Sequence, residues 1–199
     1  MMRTVALIFL FALSSVLSAT PVVTLEFIGP LTGINDGVAY VSPYKFTVDS
    51  EPDLLVCVDP DHTIRRGDTW QASVLSYTDL AEQARQQFRI VFWLVEDILA
   101  NPNSPNVVPD QHAIWWLQGT NYPADPAAED RYQWALGQAQ ASVRSYSEFR
   151  VYKGIGMGQD QVGMVGAPEP GIHLLCGAGL LLIGSRRKWL ERFSRRAAD

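Results

Sequence analysis

Few residues in this chain have side chains suited to chemistry. It carries two cysteines, Cys57 and Cys176, and three histidines, His62, His112 and His173. Cys57 lies near the end of a continuously apolar stretch, Leu54 to Val58, which reads as a buried strand. A lone thiol there is ordinarily a small hydrophobe, and it becomes a nucleophile only when a partner activates it. Asp59, Asp61 and His62 follow at once and form a compact polar cluster that could be a metal or calcium corner. No second ligand cluster accompanies them, so an aspartate-rich turn is the simpler reading and no metal site or cofactor is assigned. With His62 and His112 in the body, a Ser-His-Asp hydrolase stays open, but no Gly-x-Ser-x-Gly elbow exists to present a serine. Glu96 and Asp97 are adjacent and point to different faces of a helix, which makes them a poor acid–base pair. Arg66-Gly67-Asp68 reads as a plain turn. The glycines at 154–158 lack the strand-to-helix setting of a phosphate loop.

The elements that must position these groups come in two blocks. Val22 to Ile28, Val38 to Val41, Tyr44 to Val48, Leu54 to Val58 and Trp70 to Val74 read as strands separated by glycine-containing or polar turns. The period then changes. Leu80, Ala84, Phe88, Val91, Phe92, Val95, Ile98 and Leu99 recur three or four apart, which predicts a helix capped at Thr78 or Asp79 and ending before Asn101-Pro102. A shorter helix is expected from Asp110 to Gln118, and a third with Asp125 as cap and Pro126 at its first position. Phe149 to Tyr152 reads as a closing strand, and the glycines from Gly154 to Gly166 as a flexible linker. The expectation is an α+β domain over residues 20–153, an antiparallel sandwich or barrel-like body with about three helices inserted.

Both ends carry addressing signals. Met1-Met2-Arg3, the apolar run from Val5 to Leu13 and the small residues Ser18-Ala19 have the order of a signal peptide over residues 1–19, helical in its apolar part. At the other end Pro168-Glu169-Pro170 precedes an almost uncharged run over 171–185, which stops at Arg186, Arg187 and Lys188. This arrangement resembles the PEP-CTERM sorting signal of Gram-negative bacteria. The resemblance, over residues 168–196 with a linker at 154–167 before it, implies recognition of Pro168, Glu169 and Pro170 by an exosortase-type membrane protease. It also implies a helix held transiently in the inner membrane and final residence at the cell surface or in an extracellular matrix. The basic stop would stay cytoplasmic by the positive-inside rule, leaving the body outside. His173 and Cys176 fall inside the apolar run and read as passengers.

Without its ends the chain keeps nine Lys and Arg against nineteen Asp and Glu in residues 20–170, near −10 rather than the −5 of the whole. So acidic a body excludes nucleic acid as a partner and fits an exported soluble domain. Export also leaves Cys57 as a single thiol in an oxidising compartment, since Cys176 belongs to the tail.

Leu55-Val56-Cys57-Val58-Asp59 and Gln111-His112-Ala113-Ile114-Trp115 look like the two signature blocks of bacterial thioester domains. The resemblance spans roughly residues 40–120. It implies an internal thioester in which the Cys57 sulfur joins the side-chain carbonyl of Gln111 with loss of ammonia. On this reading Gln111, in the first turn of its helix, would have an oxyanion stabilised by unpaired backbone N–H groups, and Trp115 and Trp116 would exclude water. The stored electrophile would acylate an amine-bearing surface or an exopolysaccharide hydroxyl once, as a covalent adhesin without turnover. The principal reading is thus an exported, non-catalytic surface or matrix protein. The alternative is an exported hydrolase of polysaccharide or peptide.

Overall fold

The computed structural model describes residues 20–119, 125–156 and 158–164. The expected signal peptide, the Pro168-Glu169-Pro170 motif, the segment 171–185 and the basic stop at Arg186, Arg187 and Lys188 lie outside the described residues. Among the described residues no helix is long and apolar enough to cross a membrane.

Six antiparallel strands close into a barrel: β1 (Val22–Pro30), β2 (Tyr44–Val48), β3 (Glu51–Cys57), β4 (Thr69–Ser76), β5 (Phe149–Gly154) and β6 (Gln161–Met164), in the order β1-β2-β3-β6-β5-β4. Three helices, α1 (Glu82–Ala100), α2 (Val107–Leu117) and α3 (Pro126–Ala141), lie in the chain between β4 and β5. The expected α+β body with an inserted helical block is therefore present, and it is a barrel rather than a sandwich.

Register sorts the side chains. Leu25 faces Trp70, Phe27 faces Phe46, Tyr44 faces Leu55 and Cys57 faces Gln161. These residues share the inner face, where Phe46 meets Trp70 edge-on at 5.6 Å although their strands are not neighbours. Val56, Val162, Val151 and Phe149 occupy the opposite face. There Phe92 of α1 stacks on Phe149 at 4.3 Å, so the helical layer covers this outer surface. The apolar stripe of α1 (Phe88, Val91, Phe92, Val95, Ile98) is buried, as its spacing requires. The β2–β3 hairpin turns through Asp49 and Ser50, both at positive φ, the requirement of the tight turn that matches strand twist.

Four expectations change. Val38 to Val41 forms no strand; the segment is a loop with one isolated bridge, Asn35 to Tyr40. Its Asp36 carboxylate accepts the N–H groups of Val38 and Ala39, a local arrangement that competes with pairing. Helix α1 begins at Glu82, because Tyr77–Asp79 is a separate 3₁₀ turn held by Ser76 and Asp79. Helix α2 begins at Val107, three residues before Asp110. Finally, the expected linker over 154–167 is not a linker as far as Met164, since β6 closes the barrel. Three of its glycines, Gly154, Gly158 and Gly163, serve close approach. A Cβ on Gly163 would stand 2.5 Å from Leu55, and one on Gly158 would stand 2.2 Å from the Trp70 ring. The folded domain therefore continues past 153.

Candidate functional site

Cys57 is the last residue of β3, and the strand delivers its side chain to the end of the barrel's inner face. The thiol is buried and free. It donates to the Asp59 carbonyl at 3.2 Å, and burial pushes it up to about 12, against the opposing pull of the Asp59 backbone and the Trp115 side chain. Such a group stays a neutral thiol at ordinary pH.

Gln111 meets it from α2. Its side chain is wholly buried, and its Nε2 donates to the Cys57 carbonyl at 2.7 Å. Ser42 connects the two. Its backbone N–H donates to Gln111 Oε1 at 3.4 Å, while its hydroxyl accepts the Cys57 N–H at 2.9 Å. The carboxamide is thus held at both ends, nitrogen on one strand's carbonyl and oxygen on a loop N–H. Because α2 starts early, Gln111 lies in the second turn, not the first. The donor facing its oxygen is Ser42, from the β1–β2 loop, rather than the helix terminus.

The start of α2 is fixed by a buried ion pair. Arg131 of α3 holds Asp110 at 2.5 Å and Asp97 of α1 at 2.5 Å, its guanidinium 4.0 Å from the Trp134 ring. Burial lifts the Asp110 carboxyl to about 7, with Arg131 pulling it back. His112 ties α2 to the loop through Asp36 at 3.1 Å and stacks on Trp115.

The adjacent tryptophans part company. Trp115 is 2 % exposed and lines the space over Cys57. Trp116 is 44 % exposed and meets Tyr132 of α3 edge-on at 5.2 Å, so the expected role for it in excluding water is corrected. Successive helical residues are rotated by about 100°, and only one of two neighbours can face the site.

A cleft of about 590 Å³ opens onto Cys57. Val38, Ala39 and Tyr40 form one wall, and His62, Arg65 and Arg66 line it with Trp115. Asp59 accepts the Asp61 N–H at 3.1 Å and holds His62 Nδ1 at 2.6 Å. The Asp59, Asp61, His62 segment is therefore a self-bonded turn that presents an imidazole to the cleft. Among the described residues no group of three His, Cys, Asp or Glu side chains converges as metal ligands.

Ser42, Gln159 and Gln161 were not singled out by sequence. Gln159 donates to the carbonyls of Asp59 and His62, and accepts from Gln161 at 2.7 Å. Gln161 lies directly across from Cys57 on β6, fully buried. Two glutamines two apart in the sequence, beside the alternating Val162 and Met164, were the available signal, obscured by the glycines around them.

No protein-family model matches the chain, and no curated protein matches it either. Among solved structures it is similar to the N-terminal thioester domain of a surface protein from Clostridium perfringens. The TM-score is 0.43 and the identity 9 %, over 72 % of this chain and 98 % of that one.

Proposed function

We propose that the chain is an exported surface or matrix protein whose body acts once, as a covalent adhesin, through a thioester between Cys57 and Gln111. The observation that carries this is the buried Gln111 carboxamide, pinned at both its nitrogen and its oxygen beside Cys57. Attack of the Cys57 sulfur on the carboxamide carbon places negative charge on Oε1, facing the Ser42 N–H. The thiol proton leaves with the amide nitrogen as ammonia. The neutral thioester suits an apolar site that resists a thiolate. An incoming hydroxyl or amine then attacks the same carbon, the carbon–sulfur bond breaks, and Cys57 regains a proton. His62, steadied by Asp59 at the cleft wall, takes the proton from the nucleophile and passes it on. A cysteine hydrolase would instead need a thiol lowered toward neutrality, and burial moves Cys57 the other way.

Export, sorting at Pro168-Glu169-Pro170 and transient anchoring in the inner membrane belong to the same proposal, resting on the sequence signals at the two ends. Replacing Glu169 with Ala should leave the unprocessed, membrane-held form in an exosortase-bearing host.

The test of the thioester is the intact mass of the freshly purified chain beside Cys57→Ala and Gln111→Ala variants. The wild type should be one ammonia lighter than its sequence, and each variant should weigh what its sequence requires. Methylamine should add to the wild type alone. Wild-type protein at full mass, with glutamine rather than glutamate recovered at position 111 by peptide mapping, would overturn the reading. Because Gln161 stands across from Cys57, a Gln161→Leu variant completes the set, and it should keep the ammonia loss.

A further inference from the structure

The body is strongly acidic, yet the cleft over Cys57 has no Asp or Glu among its lining residues. It has Arg65, Arg66 and His62 instead. This contrasts with three arginines of the helical layer, while a fourth, Arg89 of α1, donates to the Ala139 carbonyl. Arg131 is bound to Asp97 and Asp110, Arg144 to Glu96 and Glu148, and Arg85 to Glu82. Among the described residues neither Arg65 nor Arg66 has a carboxylate within ion-pairing distance; the Arg66 guanidinium lies over Gly29. Asp59 holds His62 at 2.6 Å and Asp68 accepts the Arg65 backbone N–H at 2.7 Å, so the positive charge the cleft offers is carried by the two guanidinium forks in its lining, in a molecule that otherwise repels anions. Apart from Thr63 and Gln159, the rest of the lining is largely apolar or aromatic, with Phe27, Tyr40, Tyr44 and Trp115. Flat aromatic surface with guanidinium forks suits a sugar ring bearing an acid group, and a space of this size takes one or two such rings.

Resting on the thioester reading, we propose that this cleft is an acceptor site for an anionic carbohydrate. Arg65 and Arg66 hold its acid group, and a ring hydroxyl is presented to the Gln111 carbonyl carbon. The transfer balances without a co-reactant. The hydroxyl oxygen bonds to the Gln111 carbonyl carbon, the carbon–sulfur bond breaks, and the hydroxyl proton ends on the Cys57 sulfur. The products are an ester at position 111 and a free thiol. The shared chemistry of the ligand is a hydroxylated ring with a negative group, carboxylate or phosphate.

Two measurements on the full chain separate this proposal from the thioester itself. The first is calorimetric binding to the Cys57→Ala chain of a glucuronic acid oligosaccharide, a glucose oligosaccharide of equal length and glucose 6-phosphate. The second is the rate at which each consumes the ammonia-depleted wild type, followed by intact mass. The glucuronic acid oligosaccharide should bind and react about tenfold or more faster than the neutral one at low salt, with the margin shrinking as salt rises. An Arg65→Gln/Arg66→Gln double variant with an unchanged melting temperature should lose that margin, and an Arg65→Lys/Arg66→Lys pair should keep much of it. Reaction of the phosphate sugar alone would assign the site to phosphate rather than carboxylate. Equal binding of neutral and acidic sugars, or a margin that survives the glutamine pair, overturns the proposal. Selective binding by the Cys57→Ala chain with no ammonia loss in the wild type would leave the acidic-sugar cleft standing and sink the adhesin.

Discussion

The two sides of the barrel treat charge in opposite ways. In the helical layer Arg131 and Arg144 are each bound by two carboxylates and lie over Trp134 and Trp93. Those guanidinium groups are used up in joining three helices to one another and to the end of the barrel. On the cleft side Arg65 and Arg66 line the cleft with no ion-pair partner among the described residues, and the buried polar groups are uncharged: Ser42, Gln111, Gln159 and Gln161. The lesson is that paired charge locates the backbone, whereas unpaired charge and neutral amides are left to meet something else. Helix α2 belongs to both regions. Asp110 faces the ion-pair layer and the next residue, Gln111, faces Cys57.

The sharpest way to break that comparison is to exchange arginines across it. Arg131→Ala should cost about 3–5 kcal/mol in urea unfolding, because it strands the buried Asp110. Arg65→Gln should change stability by no more than about 0.5 kcal/mol. The Arg131 penalty has a pH signature. The folded Asp110 carboxyl is raised from 3.8 to about 7, so its contribution to stability is full below the unfolded value and is lost as pH rises through the folded one. Stability should therefore decline between about pH 4 and pH 7, and Asp110→Asn should flatten that part of the profile. Equal cost for Arg131→Ala and Arg65→Gln would erase the distinction between the two regions.

Next in size is a rate effect confined to the cleft. His62→Gln should slow opening of the thioester by hydroxyl acceptors by about a hundredfold, with thioester formation intact. An unchanged rate would reduce the Asp59–His62 pair to a turn constraint.

The layer that locates α2 was largely legible in sequence, and the machinery around Cys57 only in part. Phe88, Val91, Phe92, Val95 and Ile98 announce α1 because one face must be apolar, and Asp125 caps α3 by accepting the Ala127 N–H at 3.0 Å, as its type and place foretell. Cys57 and Gln111 could be named from their local blocks, and the fold brings them together. The sixth strand was hidden because glycine has two uses. Gly158 and Gly163 look like flexibility in sequence but are demanded by Trp70 and Leu55, which only the closed barrel reveals. Ser42 was hidden for a related reason. It works through its backbone N–H and a loop path set by Asp36 and His112, contacts separated by 69 and 76 residues that no local pattern encodes.

Ser42 offers a smaller test at the junction of the two regions. Ser42→Ala removes the acceptor of the buried Cys57 N–H and should cost about 1–3 kcal/mol. Its backbone N–H remains to face Gln111 Oε1, so the thioester should still form, more slowly. Ser42→Pro removes that N–H as well and should abolish ammonia loss in whatever fraction still folds. Full ammonia loss in the proline variant would show that the loop N–H has no part in polarising the carboxamide.

The smallest expected effect separates two adjacent residues. Trp116→Ala should cost about 1 kcal/mol, the worth of an exposed edge-on contact with Tyr132, and should leave the half-life of the thioester in water unchanged. Trp115→Leu keeps an apolar filler but takes away the indole that lines the cleft over Cys57, so hydrolysis should quicken in that variant alone. If both substitutions shortened the half-life equally, water would be reaching the bond through the helical layer as well as the cleft. The division of the molecule into a sealed, charge-paired side and an open, receptive one would then be wrong at the helix they share.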